Sequence, residues 1–261
     1  MCAPATPSIL LEFNSSSPLG STILVSIWEL GEVFGPLIVA PLSELYGRLP
    51  VYHTANIMFV LSSAAAAKSP SINVLIGCRF LLGLTVASTT LNSCIVADMF
   101  GEENRGRALA IMGMTPAIAP VLGPAVGGYI SEYLGWRWTF WTITIATGIF
   151  ELCFLATYRE SYKVVILERK ARRLRFETGN GLLRSRYDNG LSGFTLLGEL
   201  ILRPFTLLFV SPVIILVSIC GAFAISYTYV VITSISGIYE LEYSFSQGPL
   251  GLTYLGLGIA I

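Results

Sequence analysis

Charge is scarce in this chain. Only 12% of its 261 residues are Asp, Glu, Lys or Arg, against about 25% in an ordinary soluble domain. A large water-soluble core is therefore a poor reading, and the default is a chain that threads a bilayer several times. The sixteen bases and sixteen acids cancel, which leaves no basic field for nucleic acid. There is one histidine, His53, so the sequence argues against a histidine-based triad or zinc site. Its place just beyond a cytosolic turn reads as that of a surface histidine. The five cysteines (Cys2, Cys78, Cys94, Cys153, Cys220) have neither metal nor redox spacing. Most lie in apolar runs and read as small packing residues. A basic start followed by a cleavage site, the mark of a signal peptide, is not visible at Met1.

What the chain does have is long apolar runs. Leu19 to Ala40, Val51 to Ala67, Ile72 to Met99, Ala108 to Ile130 and Trp138 to Tyr158 each approach the roughly 20 residues that cross hydrocarbon. Backbone amides there must be paired within the segment, and runs of this length are far too long for barrel strands, so they are read as helices. Phe205 to Ile232 is a sixth span, Gly237 to Gln247 an acidic outer loop (Glu240, Glu242), and Pro249 to Ile261 the start of a seventh. Trp136, Trp138 and Trp141 cluster at one helix start, as interfacial aromatics do. Ahead of the spans, Asn14-Ser15-Ser16 has the acceptor pattern for glycosylation.

The stretch from Arg159 to Arg203 has no spanning run and holds ten of the sixteen bases against five acids. Short basic loops stay cytosolic, which fixes the topology. Thirteen bases then lie inside, Lys68 and Arg137 outside, and Arg79 within a span. Val164, Leu167, Ala171 and Leu174 recur at helical spacing among Arg169, Lys170, Arg172, Arg173 and Arg175. That pattern is a basic amphipathic helix, either on the anionic inner leaflet or serving as a solvated linker.

The chain turns at Ala40-Pro41-Leu42-Ser43-Glu44-Leu45-Tyr46-Gly47-Arg48, a cytosolic corner between the first two spans. This corner resembles the loop between the second and third helices of the major facilitator superfamily, roughly Gly-x-Leu-x-Asp-x-x-Gly-Arg-Arg/Lys. Ala40 stands at the first glycine and Glu44 at the aspartate, Gly47 and Arg48 match, and Leu49 replaces the second base. The resemblance implies that Arg48 pairs with an acid at the inner end of the family's fourth helix, here Asp98, to latch the outward-open state. Arg105-Gly106-Arg107 resembles the Arg-Gly-Lys/Arg element that opens the fifth helix. Arg79-x-x-x-Gly83 resembles the fourth-helix pattern whose arginine is linked to proton coupling; an arginine in an apolar run should in any case face the protein interior. Gly123-Pro124-x-x-Gly127-Gly128 resembles the core of the antiporter motif of proton-linked exporters, with Ala119 at its upstream glycine.

Glu29 and Glu32 lie mid-span and share one helix face, with Trp28 largely on another. Buried carboxylates are costly when ionised and tend to hold a proton. They are therefore candidates for a proton or cationic-substrate site in the central cavity, and Glu151 in the fifth span is a further acid of the same kind. Trp-Glu-Leu-Gly-Glu here, and Leu167-Glu168-Arg169-Lys170-Ala171 and Glu177-Thr178-Gly179-Asn180 in the central loop, resemble fungal proton-coupled drug exporters of the superfamily.

The expected fold is thus an all-α membrane protein: an incomplete major facilitator superfamily helical bundle of about seven transmembrane helices, covering the family's second to eighth. Residues 1–158 would form an N-terminal bundle lacking its first helix, 159–203 the cytosolic loop, and 204–261 the start of a second bundle. The resemblance implies proton-coupled export of small organic compounds by alternating access. The partners are a small-molecule substrate, protons and the lipid bilayer. The chain is expected to act as a monomer, without cofactor or enzymatic chemistry, in the plasma membrane or the vacuolar membrane. A non-transporting remnant and a nutrient importer are the other readings. A seven-span receptor would need neither the Glu44, Arg48 and Asp98 set nor the glycine-rich helix.

Overall fold

The structure is a computed structural model that describes residues 5–13, 18–185, 193–243 and 247–260. Cys2, the Asn14-Ser15-Ser16 pattern and part of the basic loop fall outside these. The described residues form eleven α-helices and no strand: α1 (Thr6–Glu12), α2 (Pro18–Tyr46), α3 (Arg48–Ala67), α4 (Ile72–Val86), α5 (Thr90–Met99), α6 (Glu102–Leu134), α7 (Trp136–Thr157), α8 (Lys163–Thr178), α9 (Gly193–Val210), α10 (Pro212–Tyr243) and α11 (Gln247–Ala260). A 3-10 turn, Ala87–Thr89, joins α4 to α5, so Ile72–Met99 is one continuous span. By length and composition Ile72–Met99, Trp136–Thr157 and Pro212–Val231 can each cross a membrane among the described residues.

The corner is tighter than the sequence indicates. Ala40 to Tyr46 is not loop but the last turns of α2, and the whole reversal into α3 falls on Gly47. Its φ of 105° lies where only glycine is comfortable. The same device recurs at the opposite end of the bundle, where Gly135 (φ 91°) alone separates α6 from α7. Gly179 (φ 67°) ends α8 in the left-handed conformation usual at helix C-termini.

Two further boundaries differ from expectation. The stretch from Phe205 to Ile232 is not one rod: α9 ends at Val210, Ser211 breaks the helix, and α10 starts at Pro212. Residues before a proline avoid the helical region, which explains the break. The expected outer loop from Gly237 is instead the end of α10, which runs to Tyr243.

The packed interior has two clusters. One, at the end of the molecule where Gly135 turns the chain, gathers Ile9, Leu24, Ala66, Leu75, Trp136 and Phe140 from five helices. The other, toward the Gly47 corner, gathers Val39, Val51, Ala87, Leu91 and Ile95. Trp136 belongs to the first cluster and is only 4% exposed, so it is not a lipid-facing belt residue. Its indole N–H donates to Glu12 at 2.6 Å, and Arg137 donates to the same carboxylate at 2.5 Å. Trp138, by contrast, faces outward. Large exposed apolar side chains such as Phe150, Phe209 and Phe223 suit a hydrocarbon surrounding.

Candidate gate and coupling site

The inner corner brings residues together from three distant parts of the chain. Arg48, the first residue of α3, is buried. Its Nη1 donates to Ser43 Oγ at 2.6 Å, and Ser43 is itself fully buried and donates to Ala40 O. Arg48 Nε lies 3.6 Å from Asp98 Oδ2 at the end of α5. That is an ion pair but not a hydrogen bond, and neither facing atom has a hydrogen-bond partner among the described residues. The guanidinium also covers the Tyr162 ring at 4.7 Å, a favourable cation–π contact.

Glu160, one of the first residues after α7, completes the corner, and sequence reasoning missed it. Its carboxylate accepts the backbone N–H groups of Arg48 (3.1 Å) and Leu49 (3.3 Å), and that of Tyr162 (3.0 Å). The first N–H groups of a helix have no partner within it and carry partial positive charge, so an anion placed there is stabilising. No residue of α2 or α3 supplies a side-chain cap; Glu160 does so from 112 residues away. The one signal in the sequence is an acid among the bases that open the central loop. Glu44 has no hydrogen-bond or ion-pair partner among the described residues. It does lie near Tyr162, whose phenol is pushed up first by burial and then by the Glu44 charge, with Arg48 opposing.

In the first turn of α6, Arg105 Nη2 donates to the carbonyl of Ala97 at 3.0 Å, satisfying one of the free carbonyls that end α5. It thereby holds the helix end that presents Asp98. Gly106 faces open space, so packing does not require a glycine there.

The mid-span acids lie where α2 crosses α4 at very close range. Cβ atoms added at Gly31 or Gly83 would overlap the Phe80 or Trp28 carbonyl oxygens. The glycine of the Arg79-x-x-x-Gly83 pattern therefore serves this approach, which sets Arg79 one turn away in the Glu29 and Glu32 neighbourhood. Arg79 is buried, and its Nε has no hydrogen-bond partner among the described residues. Glu29 is half-buried, receives a hydrogen bond from the Tyr229 hydroxyl, and feels the charges of Glu32 and Arg79. Glu32 is exposed and accepts the Trp28 indole N–H at 3.2 Å. Trp28 thus shares the Glu32 face rather than pointing elsewhere, as residues four apart on a helix do.

Pro124, Gly127 and Gly128 are buried and Gly123 is half-buried on α6. This face meets α11, where a Cβ at Gly251 would overlap the Pro124 carbonyl oxygen. One helix turn outward, Glu132 accepts the backbone N–H of Gly248 at 2.6 Å, at the start of α11. The glycine-rich stretch is a close seam between α6 and α11.

One expectation fails outright. His53 is not a surface histidine: its side chain is 12% exposed and its Nδ1 lies 2.5 Å from Glu151 Oε1. Glu151 is therefore held between α3 and α7 and is not grouped with Glu29 and Glu32.

A family model described as Major Facilitator Superfamily matches residues 1–261. The chain belongs to the major facilitator superfamily. It is 38% identical over 262 residues to a protein named Efflux pump radE from Floropilus chiversii, covering 100% of this chain and 49% of that one. It is 42% identical over 260 residues to MFS-type transporter penM from Penicillium rubens, covering 99% and 51%. The chain thus spans about half the length of these curated relatives. The crystal structure of the human organic anion transporter MFSD10 superposes with a TM-score of 0.60 at 17% identity, over 98% of this chain and 59% of that chain. At that identity the likeness shows the fold alone, an all-α superfamily bundle. The chain is a multi-pass membrane protein of this superfamily, as the corner, the Arg79 pattern and the glycine-rich seam indicated.

Proposed function

We propose that this chain is the half of an exporter that contains the inner gate and the coupling site. Such an exporter would carry a small organic compound outward against an inward flow of protons, by alternating access. The observation that carries the reading is the pairing of Arg48 with Asp98 at the inner tips of α3 and α5. A 3.6 Å ion pair without a hydrogen bond is a contact that can be broken and remade within a cycle. Hydrogen bonds hold its surroundings in place: Ser43 positions the guanidinium, Glu160 caps α3, and Arg105 would hold the end of α5. Gly47 permits the reversal, and Gly106 would leave the start of α6 free of side-chain contacts as it moves. Glu29, Glu32 and Arg79 are assigned to proton coupling or substrate binding, since a buried arginine beside carboxylates lets a proton on or off change the local charge by one unit. Gly123, Pro124, Gly127 and Gly128 would act as the antiporter seam. The names Efflux pump radE and MFS-type transporter penM point in the same direction. A plasma-membrane site and a monomeric carrier belong to the same reading, as does the division into residues 1–158, 159–203 and 204–261.

The test is pH-driven efflux of a fluorescent organic cation from cells expressing the chain. Efflux that rises with the proton gradient, and loses that dependence in Glu29→Gln, supports the reading. Efflux above that of empty cells that does not respond to the proton gradient overturns it.

A further inference from the structure

One buried polar cluster takes no part in the gate or the coupling site. His53 lies on α3, five residues after Arg48, and is the only histidine in the chain. Its Nδ1 meets Glu151 Oε1 at 2.5 Å, with side chains 12% and 6% exposed. The other Glu151 oxygen accepts from Asn56 Nδ2 at 2.7 Å, and Asn56 Oδ1 accepts from Ser88 Oγ at 3.3 Å. The Tyr52 hydroxyl lies against Asn56 and Asn92. Rings of Phe154 and Tyr158 flank the imidazole at 6.2 and 6.5 Å.

A carboxylate so far from water is expensive unless its charge is compensated. Among the described residues no lysine or arginine makes an ion pair with Glu151. The other titratable groups facing the pair are the phenols of Tyr52 and Tyr158. The 3-10 turn and α5 present Ser88 and Asn92, and α2 presents the apolar Val39 and Leu42. Among the described residues, only His53 can supply a positive charge. The pair is neutral overall when both ring nitrogens carry a proton, the one on Nδ1 shared with Oε1, and has a net negative charge when the ring carries only one.

The elements that meet here are those that build the gate. α3 carries Arg48 as well as His53. α7 carries Glu151 and leads directly to Glu160. The segment holding Ser88 continues into α5 and Asp98. We propose that His53 and Glu151 form a proton-binding site, separate from Glu29 and Arg79, whose occupancy fastens α3 to α7 and so sets how firmly the inner corner is held. With the proton bound the seam is tight and the Glu160 cap stays on α3. Without it the seam loosens and the cap is released more often. The gate then responds to the pH of the inner compartment. The functional consequence rests on the gate reading above, but the site itself does not.

The lone histidine makes the test direct. The full chain, labelled with 15N-histidine in lipid nanodiscs, is titrated between about pH 5 and 8, where histidine changes charge, with imidazole shifts read by NMR. Hydrogen exchange of peptides covering Arg48 and Leu49 is followed over the same range. The expected result is that His53 titrates and that exchange at the corner rises on the order of 10-fold along the same curve as the proton leaves. Glu151→Gln should move the histidine midpoint and uncouple the corner from it. His53→Arg, which stays charged throughout, should keep the corner protected at every pH, which a merely structural histidine would not predict. A histidine that holds one charge state throughout, or one that titrates while corner exchange stays flat, overturns the proposal. Neither readout involves transport, so a failure of export leaves the result intact.

Discussion

The carboxylate of Glu160 occupies the space that a side chain on Gly47 would need. The same carboxylate takes the first amides of α3, so one acid closes the corner from outside while one glycine turns it from within. Gly47→Ala meets two obstacles: a φ of 105° with ψ 161°, a region costing roughly 1–3 kcal/mol for a residue with a Cβ, and displacement of Glu160. The expected outcome is loss of the capping contact and a lower thermal midpoint in detergent, with the larger effect at Gly47 and about 1 kcal/mol for Glu160→Ala alone. Equal stability of Gly47→Ala and wild type would show that the corner is not strained.

Arg48 and Asp98 should behave as a pair. Removing one partner of a largely buried pair leaves the other charge uncompensated, at roughly 3 kcal/mol. Arg48→Asp and Asp98→Arg are each expected to depress transport strongly. The double swap should recover part of the loss, measured as initial efflux rate at matched expression. A double variant no better than either single variant removes the latch.

The crossing of α2 and α4 tolerates no added volume. Gly83→Val would force the Trp28 carbonyl away and should destabilise the bundle by about 1–3 kcal/mol, the usual cost of overpacking. Gly77, which has nothing near it, is the control: Gly77→Ala should leave the melting curve unchanged. The difference between the two is read by thermal unfolding monitored by tryptophan fluorescence.

The outer contact of Glu12 gives a pH dependence with a defined sign. Hydrogen bonds from Arg137 and then from Trp136 hold the Glu12 carboxyl below its usual value of 4.5. A depressed carboxylate contributes stability above its unfolded value and loses it as pH falls through the folded one. The contribution is therefore complete at neutral pH and fades only below 4.5. Trp136 fluorescence should change in that acid range, and in Glu12→Gln the change should disappear.

The sequence was informative wherever a property is local. Apolar length announces spans, and Gly47, Arg48 and the glycines of α6 stand in recognisable spacing. Asp98 was reachable only through likeness to a family, because nothing in its neighbourhood names Arg48 as its partner. Glu160 and the His53–Glu151 pair were not legible for the same reason, more strongly. Their contacts span 112 and 98 residues. Which way a residue faces around a helix axis depends on neighbours that packing alone assigns. His53 was misread because a histidine near a helix end is ordinary, and only the arrival of α7 makes it special. The break at Ser211 is signalled by Pro212, but apolar length alone carries a span straight across it.

One feature of the backbone has a mechanical meaning. With Gly47 alone between them, α2 and α3 meet at a single elbow, and any change in the angle between them must be taken up at that one residue, against the Glu160 carboxylate beside it. Gly135 makes a second such elbow between α6 and α7. Each of these helix pairs can therefore tilt only about one point, and the side chains packed around that point decide how easily it does so.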